Sequence, residues 1–239
     1  MGKADIVKKK LREEADPEKA VILQRFFKTG PGEYGEGDVF LGVVLPKIRG
    51  IVKNHYDALD LEDVAEIIRS RIHEERLSGL LILVLKYGKG DEAARHQIFK
   101  FYLENASYVN NWDLVDLTAE KIIGAHLYGK DASLLYKLAI SENVWERRMA
   151  IIATFHFIKK GEAGHTLAIA KKLLRDENDL IHKASGWMLR EVGRRIGIEK
   201  EETFLKKYYK IMPRTMLRYA IERFPEKKRL AYLKGDPAV

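Results

Sequence analysis

Apolar residues recur at three- and four-residue spacing along nearly the whole chain, and alternating β-type runs are few. The pattern predicts helices over residues 4–14, 17–28, 45–55, 61–71, 74–87, 91–104, 112–126, 131–140, 143–160, 163–174, 179–196, 199–210, 213–223 and 225–233. Their ends are punctuated. Asp16-Pro17 offers an N-cap followed by a proline in the first turn, and Leu45-Pro46 and Met212-Pro213 do likewise. Gly88, Gly129 and Gly161 fit helix ends that need a left-handed residue. One stretch, residues 29–39, is plainly irregular. It is glycine-rich, lacks Gly-Lys-Ser/Thr and carries acids, so it reads as a flexible connector and not as a phosphate cradle. Residues 235–239 read as a frayed tail.

The helices repeat. Arg76, Trp112, Arg148, Lys183 and Arg218 follow one another at steps of 36, 36, 35 and 35 residues. A period in the mid-thirties marks helix pairs stacked into an array. Two positions beyond each of these residues stand Ser78, Leu114, Ala150, Ser185 and Ala220, four of them small, which lets neighbouring helices approach closely. Tetratricopeptide and ankyrin consensus residues are missing, so the pattern points to HEAT-like pairs. The expected fold is all-α: an α-α superhelix, or solenoid, of HEAT-like repeats forming a single domain over residues 1–239, with the four cations of the ladder lining a concave basic groove.

Charge sharpens this picture. Residues 1–140 carry 21 Lys/Arg against 22 Asp/Glu, a net of −1, whereas residues 141–239 carry 22 against 13, a net of +9. Later repeats that meet phosphates account for such an excess, as do solvated basic faces. With no cysteine, disulfides and thiolate metal sites are excluded. The longest apolar run, around Leu77 to Leu85, is well short of the ~20 residues of a membrane span. The start lacks the apolar core of a signal peptide, so a cytoplasmic protein is expected.

Chemistry concentrates where the ladder is interrupted. Trp112 and Asp116 are one turn apart on a single helical face. Arg148 holds the register of Trp112 in the next repeat, and Trp187 holds that of Asp116 two repeats on. Regular stacking would turn these four toward one surface, although Leu80, Ile152 and Glu222 share the register. Bland roles stand beside the functional ones. Tryptophans in helical repeats also pack between helices, as Trp145 is expected to do. Asp113 suits the positive end of a helix dipole, and Asp116 could serve only as an ion-pair partner of Arg148. The seven histidines show no metal-ligand spacing and read as surface or core residues. No nucleophile elbow or Ser-His-Asp pattern is present.

Several segments together resemble one family. They are Asn111-Trp112-Asp113-Leu114-Val115-Asp116, Trp145-Glu146-Arg147-Arg148, the run from Lys183 to Glu191, and the run from Met212 to Glu222. Asp16 to Ala20 and Gly42 to Arg49 also fit. The resemblance, over about residues 16–233, is to the AlkD-like DNA alkylation repair family of HEAT-like-repeat DNA glycosylases. It implies hydrolysis of the N-glycosidic bond of cationic N3- and N7-alkylpurines in double-stranded DNA, leaving an abasic site, with the lesion read through the backbone and without a base-flipping pocket. By the same resemblance Asp116 is the carboxylate that stabilises the oxocarbenium-like sugar, Trp112 and Trp187 are the indoles that close on it, and Arg148 holds the DNA backbone. Lys183, Arg190, Arg194, Arg214 and Arg218, with Lys47, Arg49 and Lys53, are candidate phosphate contacts. No cofactor, metal or membrane is implied, and a monomer is expected. Two departures stand out: Asn111 occupies a position where relatives can have a second tryptophan, and Phe26 one where some have a tyrosine. The competing readings are a DNA-binding protein of the same fold without catalysis, and a protein-binding scaffold.

Overall fold

A computed structural model describes residues 2–236. Among them there is no strand, only an isolated parallel bridge between Val39 and Ile72. The chain divides into two compact units, Met1–Thr118 and Ala119–Val239.

The first unit carries α1 (Lys3–Glu13), α2 (Pro17–Phe26), α3 (Leu45–His55), α4 (Leu61–Ile68), α5 (His73–Lys89), α6 (Glu92–Glu104) and nearly all of α7 (Trp112–Ala119). Asp16 caps α2 through the Lys19 amide at 3.1 Å, as its sequence foretells, and Pro46 falls in the first turn of α3. Helix α5 is the axis of the unit. Helices α1, α3, α4 and α6 all pack on it, and its residues from His73 to Leu83 are buried without interruption. Gly79 explains the closeness of α4: a Cβ there would come within 2.7 Å of the Ile68 side chain. At the end of α5 the expectation needs correcting. Gly88 lies inside the helix, and the C-cap is Gly90 in extended conformation.

In the second unit the chain makes a π-helical turn, Glu120–Gly124, then α8 (Ala125–Leu127), α9 (Ser133–Leu138), α10 (Val144–Lys159), α11 (Gly164–Lys172), α12 (Asp179–Arg195), α13 (Ile198–Tyr208), α14 (Arg214–Ala220) and α15 (Glu226–Lys234). Gly129 and Gly161 take the left-handed conformation expected of them, with φ of 72° and 85°. Helices α10, α12 and α14 start 35 residues apart and pack side by side in that order. This is the helical repeat made visible. Small residues set the spacing, because a Cβ on Gly186 would meet the Met216 carbonyl at 2.4 Å and one on Gly124 the Ala153 carbonyl at 2.2 Å. Ser78, Leu114, Ala150, Ser185 and Ala220 are each completely buried.

The ladder itself departs from expectation. Arg76 and Arg148 are buried at 3% and 5% exposure, so the five positions do not form one open row of cations. Their guanidinium groups satisfy internal acceptors: Arg76 donates to the Ser70 carbonyl and to Asp38, and Arg148 to the Leu180 carbonyl at the start of α12. The connector at 29–39 is also no loose tether. Gly35 donates to the Lys28 carbonyl, the His73 amide donates to the Val39 carbonyl, and Asp38 is 6% exposed. Of the expected tail, Gly235 caps α15 in left-handed conformation and residues 237–239 lie outside the described residues.

Candidate functional site

Helix α7 presents Trp112 and Asp116 one turn apart, both half-buried. The indole of Trp112 stacks on Phe27, with centroids 5.0 Å apart and planes within 10°, and Phe26 meets it edge-on at 5.8 Å. Phe27 stacks on Phe40 at 4.9 Å, and Phe40 on the imidazole of His73 at 4.5 Å. Four rings, from the C-cap of α2, the loop after it, α5 and α7, thus form one column. Beside it is a cavity of about 360 Å³, walled by aliphatic residues such as Leu23, Val43, Ile48 and Leu77, with Trp112 and Asp116 on its lining. The sequence signalled no such cavity, because its walls come from four helices and the loop between α2 and α3.

The polar groups at the cavity are mostly committed. Glu74, 2% exposed, accepts hydrogen bonds from the Leu41, Gly42 and Val43 amides, the shortest 2.8 Å. His73, 2% exposed, sets Nε2 against Asp113 Oδ2 at 2.8 Å and Nδ1 against Asp38 Oδ2 at 3.1 Å. Asp38 also receives Arg76 and, at 3.3 Å, the Asn111 amide, whose own oxygen accepts from the Trp112 backbone N–H at 2.8 Å. Two acids and two cations therefore close a buried network under the first turn of α7. Burial alone would lower the His73 pKa, but the Asp113 charge, with hydrogen bonds to Asp113 and Asp38, raises it to about 9. Burial alone would raise the Asp38 carboxyl, yet His73 and Arg76 hold it below the ordinary aspartate range. Both ring nitrogens of His73 accordingly donate at neutral pH.

Sequence reasoning missed this network. Asp113 is more than a dipole charge, Asn111 is more than a missing tryptophan, and Asp38 sat in a segment read as a connector. A second anchor lies deeper: the buried Tyr102 hydroxyl donates to Thr118 at 2.7 Å, and Thr118 in turn donates to the Leu114 carbonyl, tying α6 to α7.

Other expected phosphate contacts of the first unit lie on α3. Lys47, Arg49 and Lys53 are exposed, with Lys47 paired to Glu14 at 2.6 Å. Arg49 and Lys53 stand one turn apart on the same helix.

In the second unit, Lys183 and Arg218 line one hollow of about 630 Å³ together with Thr215, Tyr219, Glu222 and Arg229. Arg218 is exposed, whereas Lys183 pairs with Asp179 at 2.8 Å. Arg190 is held by Glu222, Arg194 lies 3.5 Å from Glu191, and Arg214 donates to the Leu233 carbonyl at 2.7 Å. Trp187, half-buried, is 6.0 Å from Phe155, whose ring also takes Lys159 at 4.5 Å and Arg195 at 5.1 Å. Trp145 is buried as packing, and Ile152, 1% exposed, is a core residue. Among the described residues no three His, Asp or Glu side chains gather as a metal site, and no helix is long and apolar enough to cross a membrane.

Comparison with known proteins bears on this arrangement. A family model described as DNA alkylation repair enzyme matches residues 7–224. A solved structure of a predicted DNA alkylation repair enzyme from Enterococcus faecalis is similar in fold, with a TM-score of 0.68 at 16% identity, covering 89% of this chain and 98% of that one. Comparison with curated proteins gave no match.

Proposed function

Because the chain belongs to the DNA alkylation repair enzyme family, we propose that it is a monofunctional glycosylase that releases cationic N3- and N7-alkylpurines from double-stranded DNA. The observation that carries this reading is Asp116, one turn beyond the Trp112 indole on the lining of the cavity beside the aromatic column. Its neighbour Asp113 is bound to His73.

An alkylated purine carries positive charge, and cleavage of its glycosidic bond lets it depart as a neutral base. No general acid is then needed for the leaving group. What must be stabilised is the positive charge growing on the sugar, and a carboxylate held in a partly desolvated site does this while orienting the attacking water. Asp116 is proposed for that task, and Trp112 for contact of its π face with the cationic sugar. Base pockets read a flipped base by hydrogen bonds to its edge. The polar groups His73, Glu74 and Asp113 at this cavity are engaged internally, which favours a reading of the lesion without such a pocket. Trp187 and Arg148 enter the proposal by family resemblance, Arg148 as a buried residue that acts from within α10. Arg218 and Lys183 are proposed as phosphate contacts, which position DNA without reading its sequence.

The test is incubation with methylated duplex DNA, followed by detection of free 7-methylguanine, free 3-methyladenine and abasic sites. Release of either base with matching abasic sites is expected. Binding with no release would identify a DNA-binding protein without catalysis.

A further inference from the structure

The network beneath α7 is larger than packing requires. Burying ionised groups is costly, and replacing them with apolar residues of like volume is often neutral or stabilising. Here four ionisable side chains and one amide from three separate segments converge on the turn that carries Trp112. Asn111 grips the Trp112 amide, Asp113 accepts from the Leu114 amide at 2.8 Å, and His73 holds Asp113 from below while its ring continues the column on which Trp112 rests.

From this we infer that His73 is the positioning residue of the site: it fixes the first turn of α7 from both sides, and so aims the Trp112 ring and the Asp116 carboxylate. The catalytic part of this inference rests on the glycosylase reading; the structural part does not. A charge-bearing ring hydrogen-bonded at both nitrogens has one orientation. A neutral ring can donate from only one nitrogen, which leaves one carboxylate facing a lone pair. Loss of the proton therefore releases either Asp38 or Asp113, and with it the turn. The charged groups that face His73 are Asp38 from the loop, Asp113 from α7, and Arg76 and Glu74 from its own helix. Asp38 is matched by Arg76 and Glu74 by three amides, which leaves Asp113 as the partner most exposed to the change.

The experiment is fluorine NMR on the full chain labelled with 5-fluorotryptophan. The three tryptophans give three signals, and Trp112→Phe assigns one of them. In the native protein the Trp112 signal is expected to titrate with a midpoint near 9 while those of Trp145 and Trp187 stay fixed. In His73→Gln the Trp112 signal should move and its titration vanish. At saturating methylated DNA the excision rate should fall about tenfold with Kd within about twofold, since small misplacement of reacting groups affects rate more than binding. A folded His73→Gln protein whose Trp112 signal and titration match the native ones overturns the inference. Should His73→Gln fail to fold, Asp113→Asn keeps the side-chain oxygen for the Leu114 amide and removes only the charge, and the same outcomes apply. If Trp112 responds as expected but native protein releases no base, the positioning role stands and the glycosylase reading falls.

Discussion

Each compact unit buries a cluster of ionisable side chains, and the two clusters are built on opposite principles. In the first unit Asp38 and Asp113 meet His73 and Arg76, so acids and cations are matched in number and in direct contact. In the second, Glu201 is 2% exposed behind Glu202 and Tyr232, with a carboxylate oxygen and the Tyr232 hydroxyl lacking hydrogen-bond partners. Burial first, and the charge of Glu202 second, push the Glu201 pKa up to about 8 despite Arg190 and Lys228. Gly193 on α12 makes this possible, since a Cβ there would collide with the Glu201 carboxylate at 1.8 Å. One cluster holds charges in fixed directions beside a cavity. The other avoids charge by keeping a proton. Directed charge beside a cavity suits the chemistry proposed for Asp116.

The sharpest way to break that comparison is Asp116→Asn. Excision should fall at least about 100-fold, the scale for losing a group that stabilises transition-state charge, with duplex affinity within about twofold. Single-turnover release of 7-methylguanine measures it, and an active variant would move the carboxylate role elsewhere. Next in size is Asp38→Asn, which strands Arg76 and His73. Breaking one partner from a buried charge set costs about 3–5 kcal/mol, and urea unfolding should show a loss on that scale. By contrast Glu201→Gln, measured at pH 4 where this carboxyl is mostly protonated in the folded and the unfolded chain alike, should change stability by no more than about 1 kcal/mol.

The two clusters also predict how stability follows pH. His73 has a folded pKa raised above its ordinary value of 6.5 to about 9, so its contribution is whole below 6.5 and is lost as pH rises through 9. Glu201 is raised from 4.5 to about 8, which makes its contribution whole below 4.5 and lost as pH rises through 8. Both weaken the fold in alkali. In Glu201→Gln the fall between pH 5 and 8 should flatten while the fall toward pH 9 persists, and unfolding curves across that range will separate them. The smallest effect is expected for Arg218→Ala: duplex binding weakened about threefold, with the slope of log K against log salt reduced by about 0.9.

How far the sequence discloses all this depends on distance along the chain. Helices, the Asp16 cap, the left-handed glycines 129 and 161 and the small residues of the repeat are local or periodic, and they are readable. The cavity and the charge network are neither. Asp38 meets partners 35, 38 and 73 residues away, and nothing in the spacing of a glycine-rich loop announces that one of its acids is buried. The ladder misled for a related reason. A repeat conserves a place in the stack, and that place is interior at Arg76 and Arg148 but open at Arg218. Position in a register says which helix face a residue occupies, while burial depends on what the neighbouring segment brings to it. Trp112 and Asp116 were legible because both lie on one turn of one helix.

The three amides that share the Glu74 carboxylate carry a kinetic consequence. Hydrogen exchange at Leu41, Gly42 and Val43 requires that the loop lift from α5, because a single acceptor shields all three. Their exchange should be concerted and report the opening rate of the segment that walls the cavity. A protein whose site is shaped by a loop thus carries its own clock for how often that site comes apart.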